Sequence, residues 1–378
     1  IELIDDKETN PLVIKEAMKY EIPLLVKNTP VYLNMYPDGS KVTYMKALVI
    51  HGAKDLRLET RDAEAPGPGQ VAVALKAGGI CGSDLHYYNH GGFGPIKLRE
   101  PMVLGHEVAG EIVELGPDVE GLRVGQLVAI SPSRPCYNCL YCRGGQLNHC
   151  LNMRFYGSAM PFPHIQGAFQ EYLVAEAEQC VVADGLTAGE AAMAEPLAVA
   201  LHAVKQAGNL LGARVLVTGS GPIGALTILA ARRAGAAEII ATDLSDYTLA
   251  KAKAVGADQT YNILKQPQAL APYSVDKGQV DVHFECSGAA AALASGISVL
   301  RPAGQLIQLG LGGDINVPMQ ALTAKEISLK GSFRFHFEFK AAVSLMQKGL
   351  INVSDLITQN VPLHEAIAGF ELASDRGS

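Results

Sequence analysis

The chain has 378 residues, 48% hydrophobic and 18% charged, with 39 Gly and 20 Pro, a composition that excludes disordered, collagenous and coiled-coil classes. Its net charge of −7, from 31 basic against 38 acidic residues, offers no chain-wide positive field to a phosphate backbone, so no nucleic-acid partner is expected. No apolar run approaches the roughly 18 to 20 residues that span a bilayer, and the N-terminus lacks a signal-peptide pattern, so the expectation is a cytoplasmic protein without a membrane partner.

Residues 1–44 mix short apolar runs with turn residues and are expected to form an N-terminal extension without functional signal. Lys46-Ala47-Leu48-Val49-Ile50, just after Met45, reads as a first strand. From there to Ala188, short alternating runs such as 71–75 and 107–113, punctuated by Gly and Pro, predict a β-rich, barrel-like unit. Within it, Cys136-x2-Cys139-x2-Cys142-x7-Cys150 gathers four of the seven cysteines in a loop with Pro135, Gly144 and Gly145. Four thiolates close a tetrahedral zinc shell with no open position, which marks a structural metal.

Thr187-Ala188-Gly189-Glu190 has capping-box spacing and opens a helical stretch that Pro196 interrupts and restarts. The domain boundary is expected there, giving 45–195 as the β-rich unit, 196–335 as a second unit and 336–378 as a segment returning to the first. Beyond Gly212, strands and helices alternate, the grammar of a parallel sheet with crossover helices. Arg214-Val215-Leu216-Val217-Thr218 runs as a strand into Gly219-Ser220-Gly221-Pro222-Ile223-Gly224. A helix follows to Arg233, and a strand over 237–242 delivers Asp243, 19 residues beyond Gly224. Gly219 permits the tight turn, Gly221 lets backbone approach a pyrophosphate, and Gly224 lets the helix sit close to the strand. Pro222 and Ile223 open the helix whose N-terminus faces the phosphates. Asp243 suits the adenosine ribose hydroxyls and repels a 2′-phosphate, so NAD is expected over NADP. Strands around 259–262, 280–285, 304–309 and 326–332 complete six. The loops Cys286-Ser287-Gly288 and Gly310-Leu311-Gly312-Gly313 then border the nicotinamide half, and Cys286 reads as a packing residue.

A second constellation is dispersed: Cys81, His106-Glu107 and Glu195, each ordinary when taken singly. At these residues the sequence resembles the zinc-dependent medium-chain dehydrogenases, in their polyol branch. The shared blocks are ICGSDLHYY (80–88), PMVLGHEV (101–108), the four-cysteine lobe, MRFYGSAM (153–160), AEPLAVALHA (194–203), GSGPIG (219–224) and KEISLKGSFRF (325–335).

The resemblance implies an α/β fold, a Rossmann doubly wound parallel sheet plus a β-rich GroES-like catalytic domain. It implies two zinc ions per chain. The catalytic one would be held by Cys81, His106 and a carboxylate, either Glu107 directly or Glu195 through water or exchange, with Asp84 accepting the far ring proton of His106. Ser83 would take the alcohol proton and His86 would pass it to solvent. Arg334 would hold substrate, with Tyr87, Arg154 and His164 as secondary candidates. The implied reaction is reversible NAD-linked oxidation of a secondary alcohol of a sugar acid, L-idonate to 5-keto-D-gluconate. Sorbitol, xylitol or L-threonine are alternatives for the same machinery. A noncatalytic nucleotide-binding protein is the alternative from another class, against which the set Cys81, Ser83, His86, His106 and Glu107 argues. Relatives are dimers or tetramers, so a homodimer or homotetramer is expected, and the chain is expected to stop short of a last strand after Ser378.

Overall fold

The first long strand, β1 (Lys41–Gly52), starts ahead of Met45, because the short strand Tyr32–Met35 pairs antiparallel with its beginning. This computed structural model describes residues 32–35 and 41–374; the expectations for the remaining N-terminal residues and for 375–378 lie outside the described residues. β1 pairs antiparallel with β2 (Asp55–Ala63).

β3 (Gln70–Gly79) leads into α1 (Gly82–His90), and then come β4 (Glu107–Leu115), β5 (Leu127–Ile130), β6 (Tyr172–Glu176) and β7 (Cys180–Val182). These strands form one antiparallel sheet in the order β6-β3-β4-β5-β7. Its alternating apolar positions, Val71, Val73, Ile112, Val128 and Ile130, meet Leu48 and Ile50 of β1 in a buried core.

Thr187 and Glu190 do form the capping box, on a short helix, Ala188–Ala192. Beyond Met193 the chain restarts as α2 (Ala194–Ala207), with Pro196 in its first turn, where a missing N–H leaves no bond unmade. A strip of small residues, Ala200, Ala203 and Ala207, is buried in the core shared with the next unit.

That unit comprises β8 (Arg214–Thr218), α3 (Pro222–Arg233), β9 (Glu238–Asp243), β10 (Gln259–Asn262), β11 (Val280–Glu285), α4 (Ala290–Val299), β12 (Leu300–Gln308) and β13 (Ser328–Gly331). The six strands are parallel in the order β10-β9-β8-β11-β12-β13, so the order reverses between β8 and β11. Val215, Leu216, Val217, Ile239, Ile240 and Ala241 are fully buried, the continuous apolar pattern of strands covered on both faces.

The chain then crosses back. α5 (Glu338–Gln347) packs on α2, and Phe335, Phe339, Val343 and Met346 join the core of the parallel unit. α6 (Ala366–Ser374) packs instead on α1, where the Phe370 and Tyr88 rings meet edge to face at 5.3 Å. Among the described residues, no helix is long and apolar enough to cross a membrane.

Candidate active site

Two segments distant in sequence converge at the end of β3. Cys81 is the N-cap of α1, His106 immediately precedes β4 and Glu107 starts it, and the pairing of β4 with β3 sets Glu107 opposite Gly79. Ligand atoms of Cys81, His106 and Glu107 all lie within 4.8 Å of one another. A Cβ on Gly79 would stand 2.1 Å from the Glu107 carboxylate, so the bare backbone there is what admits that carboxylate.

Asp84 ties the segments together. Fully buried, it accepts hydrogen bonds from the Cys81 and Gly105 backbone N–H groups, both at 3.1 Å. His106 Nδ1 lies 3.8 Å from Asp84 Oδ1, within ion-pair range but too long for a hydrogen bond, and has no other partner among the described residues. The expected bond between them is thus present as proximity only. Glu195, in the first turn of α2, is buried and outside the close triad, yet its charge acts on Cys81 and His106.

The electrostatics are those of a site short of positive charge. Burial, reinforced by Glu107, Asp84 and Glu195, holds the Cys81 thiol well above its ordinary range. Burial raises Glu107 to about 7 against the pull of His106, and Glu195 to about 8. On His106, burial favours the neutral ring, but Asp84, Glu195 and Glu107 outweigh it and raise its pKa. A sulfur, an imidazole and a carboxylate converging in this field fit a zinc ion with an open fourth position.

Ser83 and His86 stand three residues apart on α1 and so share a face. The His86 ring lies 5.7 Å from Phe93 and 6.0 Å from His90. Arg334 takes the left-handed backbone conformation, φ 55°, uncommon for a residue with a side chain. Its guanidinium lies over the Phe155 ring at 4.2 Å and reaches Met160 Sδ at 3.5 Å, and Phe155 also packs against His106 at 5.6 Å. Burial lowers the Arg334 pKa to about 10, with Glu195 and Tyr87 opposing, so it stays cationic at neutral pH. Tyr87 is buried, its hydroxyl accepting from Ala159 N at 3.0 Å.

The other two substrate candidates are placed differently. Arg154 is exposed on a two-stranded ribbon, with Phe155 as its inward neighbour. His164 is buried with both ring nitrogens occupied, Nε2 by the Arg99 N–H at 2.9 Å and Nδ1 by Pro161 O at 2.9 Å. Phe155 and Met160 are the site residues that the sequence reading missed. Only strand alternation around Arg154 could have pointed inward to Phe155.

Cys136, Cys139, Cys142 and Cys150 likewise gather within 4.8 Å, with Cys136 and Cys150 sulfurs 3.4 Å apart and no disulfide among the described cysteines. Sulfurs about 2.3 Å from a tetrahedral centre stand about 3.8 Å from each other, so the set fits zinc. The Asn152 amide and backbone N–H groups draw Cys136 down to about 6, toward the thiolate that a metal requires.

At the sheet reversal, Gly219 adopts φ 82°, and a Cβ on Gly224 would meet Gly219 O at 1.9 Å. A Cβ on Gly221 would meet nothing within 4 Å. This is open space before the α3 N-terminus, where Ala225 is the first residue to bond back, to Gly221 O. That leaves the Ile223 and Gly224 N–H groups facing outward for an anion. Asp243 accepts from Ser220 N at 2.6 Å and from Leu244 and Ser245 N at 2.7 and 3.0 Å, fixing the acid against the glycine loop. The opening, the free N–H groups and the fixed acid fit a dinucleotide. Cys286 lies 3.8 Å from Thr227 Oγ1 and packs against the core, and burial pushes its thiol up to about 12.

Comparison with known proteins agrees with this geometry. Residues 67–185 match the alcohol dehydrogenase GroES-like domain, and residues 222–348 match the zinc-binding dehydrogenase domain. The chain is 44% identical over 306 residues to L-idonate 5-dehydrogenase (NAD(P)+) of Escherichia coli K12, covering 80% of this chain and 88% of the relative. It is 38% identical over 332 residues to human sorbitol dehydrogenase, covering 86% and 91%. The crystal structure of the Escherichia coli L-idonate 5-dehydrogenase superposes with a TM-score of 0.84 at 41% identity, covering 89% of this chain and 96% of that one. The chain belongs to the zinc-dependent medium-chain alcohol dehydrogenase family, built from a GroES-like domain and a Rossmann-type nucleotide domain.

Proposed function

We propose that this dehydrogenase oxidises a secondary alcohol of a sugar acid reversibly, L-idonate to 5-keto-D-gluconate, with NAD preferred over NADP. The observation that carries the reading is the convergence of Cys81, His106 and Glu107 in the same site as Arg334, a half-buried cation with no ion pair among the described residues. Cys81, His106 and Glu107 would hold a catalytic zinc, with Glu195, outside the close triad, acting through water or by exchange, and the four-cysteine lobe would hold a second ion. Zinc held at the first site supplies Lewis acidity, easing loss of an alcohol proton and polarising the matching ketone. NAD supplies the acceptor for the carbinol hydride.

The chain's own groups do the rest. Ser83 receives the hydroxyl proton, and His86, one helical turn further along α1, passes it outward. Arg334, its guanidinium lying over Phe155, receives the substrate carboxylate through paired charge-assisted hydrogen bonds. Tyr87 offers its hydroxyl proton to a substrate oxygen. Asp243 accepts from the ribose hydroxyls and disfavours a 2′-phosphate. A division into 45–195, 196–335 and a returning 336–378 goes with this reading: α6 on α1 supports the return, whereas α5 is seated on the nucleotide side. Cytoplasmic location and a homodimer or homotetramer complete it.

Initial rates on a panel of sugar acids and polyols test the substrate, with brisk oxidation of L-idonate expected. Brisk sorbitol oxidation with none of idonate would establish the polyol alternative that the human relative favours. Metal analysis should find about two zinc ions per chain; a single ion per chain in active protein would remove the catalytic site proposed here.

A further inference from the structure

Glu285 ends β11, directly across the sheet reversal from Thr218 of β8, and is fully buried. It pairs with no cation among the described residues; hydrogen-bond donors surround it instead. Oε1 accepts from Ser287 N at 2.9 Å, from the Ser287 hydroxyl and from Thr218 Oγ1 at 3.3 Å. Oε2 accepts from Gly288 N at 2.8 Å and Gln308 Nε2 at 2.7 Å. Its backbone oxygen accepts from Leu309 and Gly310 N, both at 2.9 Å. One residue thereby binds the ends of β8, β11 and β12 and the two loops that follow β11 and β12.

Where those loops meet, the abutting residues are glycines. A Cβ on Gly288 would lie 2.8 Å from Gly312 N, one on Gly310 2.1 Å from Gly288 N, and one on Gly312 1.8 Å from Gly288 O. The first glycine of the phosphate loop is drawn in as well, since a Cβ on Gly219 would stand 2.8 Å from Ser287 N. Backbone lies on backbone at the crevice where a dinucleotide crosses an open α/β sheet, and the Glu285 carboxylate is the buried acceptor common to both walls.

We propose that Glu285 is a positioning residue that shapes the nicotinamide side of the cofactor crevice and so sets affinity for the nicotinamide half without touching it. This rests on the dinucleotide reading above. A carboxylate can accept all five of these donors, whereas the amide of a glutamine must turn an N–H toward donors.

The test uses zinc-loaded full-length protein and two probes, NADH and ADP-ribose, which lacks the nicotinamide, titrated calorimetrically. Glu285→Gln should weaken NADH at least about tenfold, as expected when a buried hydrogen bond is broken, while ADP-ribose stays within about twofold of wild type. Gln308→Leu, which removes one donor and leaves the carboxylate, should show a smaller loss with the same selectivity. It decides the matter if circular dichroism shows Glu285→Gln unfolded. NADH affinity unchanged in the folded variants, or equal losses for both probes, would overturn the positioning role. Failure of wild-type protein to bind either probe would instead overturn the dinucleotide reading.

Discussion

Glu107 turns into the cluster because the residue opposite it on the β3 and β4 ladder has no side chain. Gly79→Ala should therefore displace the carboxylate while leaving Cys81, His106 and Glu107 intact in sequence. The expected result is a loss of about 10- to 100-fold in zinc affinity or activity, the scale for residues that orient metal ligands, measured by metal analysis and initial rates. Retention of both would mean that Glu107 is not needed in its present position. The residue types of this cluster were legible in the chain, since a cysteine, a histidine and two glutamates stood out once aligned with a family pattern. Which glutamate joins the close set was not. That choice depends on strand register across 28 positions and on a missing Cβ, neither of which is written locally. His164 shows the converse: its residue type suggested a substrate contact, but backbone groups of distant Arg99 and nearby Pro161 claim both ring nitrogens.

At the scale of elements, α1 carries Ser83 and His86 and is backed by α6. Phe370 is fully buried between Tyr88 and Phe169, with ring centroids at 5.3 and 6.2 Å. Phe370→Ala should destabilise the protein by about 3 to 5 kcal/mol, read as a lower Tm; a Tm unchanged within a degree would mean that α6 is not held by this packing. Local patterning located most elements well. Arg214–Thr218 is a strand at the residues expected, and the glycine loop and α3 follow it without a break. β1 and β12 were exceptions, beginning at Lys41 instead of 46 and at Leu300 instead of 304. Pro302 and Ala303, the latter at φ 57°, sit at a register shift opposite β11, where a strand tolerates both.

Across the whole molecule, the contact of α2 with α5 is fastened by Glu338, which lies 3.3 Å from His202 Nδ1 and 3.1 Å from Lys205 Nζ. Burial would raise its pKa, but the nearby His202 ring and bonds from the His336 backbone N–H and Lys205 outweigh this and hold it below the ordinary 4.5. A carboxyl depressed in the folded state stabilises it above the unfolded pKa, and that contribution is lost as pH falls through the folded value. The Tm gap between wild type and Glu338→Gln should accordingly be widest above about pH 5 and close with further acidification; a gap that widens in acid would contradict the assignment. The parallel order of six strands was foreseeable from alternating strand and helix, because crossover connections leave few topologies. The split seating of α5 and α6 was not, since both are ordinary apolar helices whose partners lie more than a hundred residues away. The abutting glycines 288, 310 and 312 bear finally on protein engineering. With no room for even a methyl group, these three positions offer a mutagenesis library nothing to vary, and redesign of coenzyme preference turns to the opposite rim, Asp243 through Asp246.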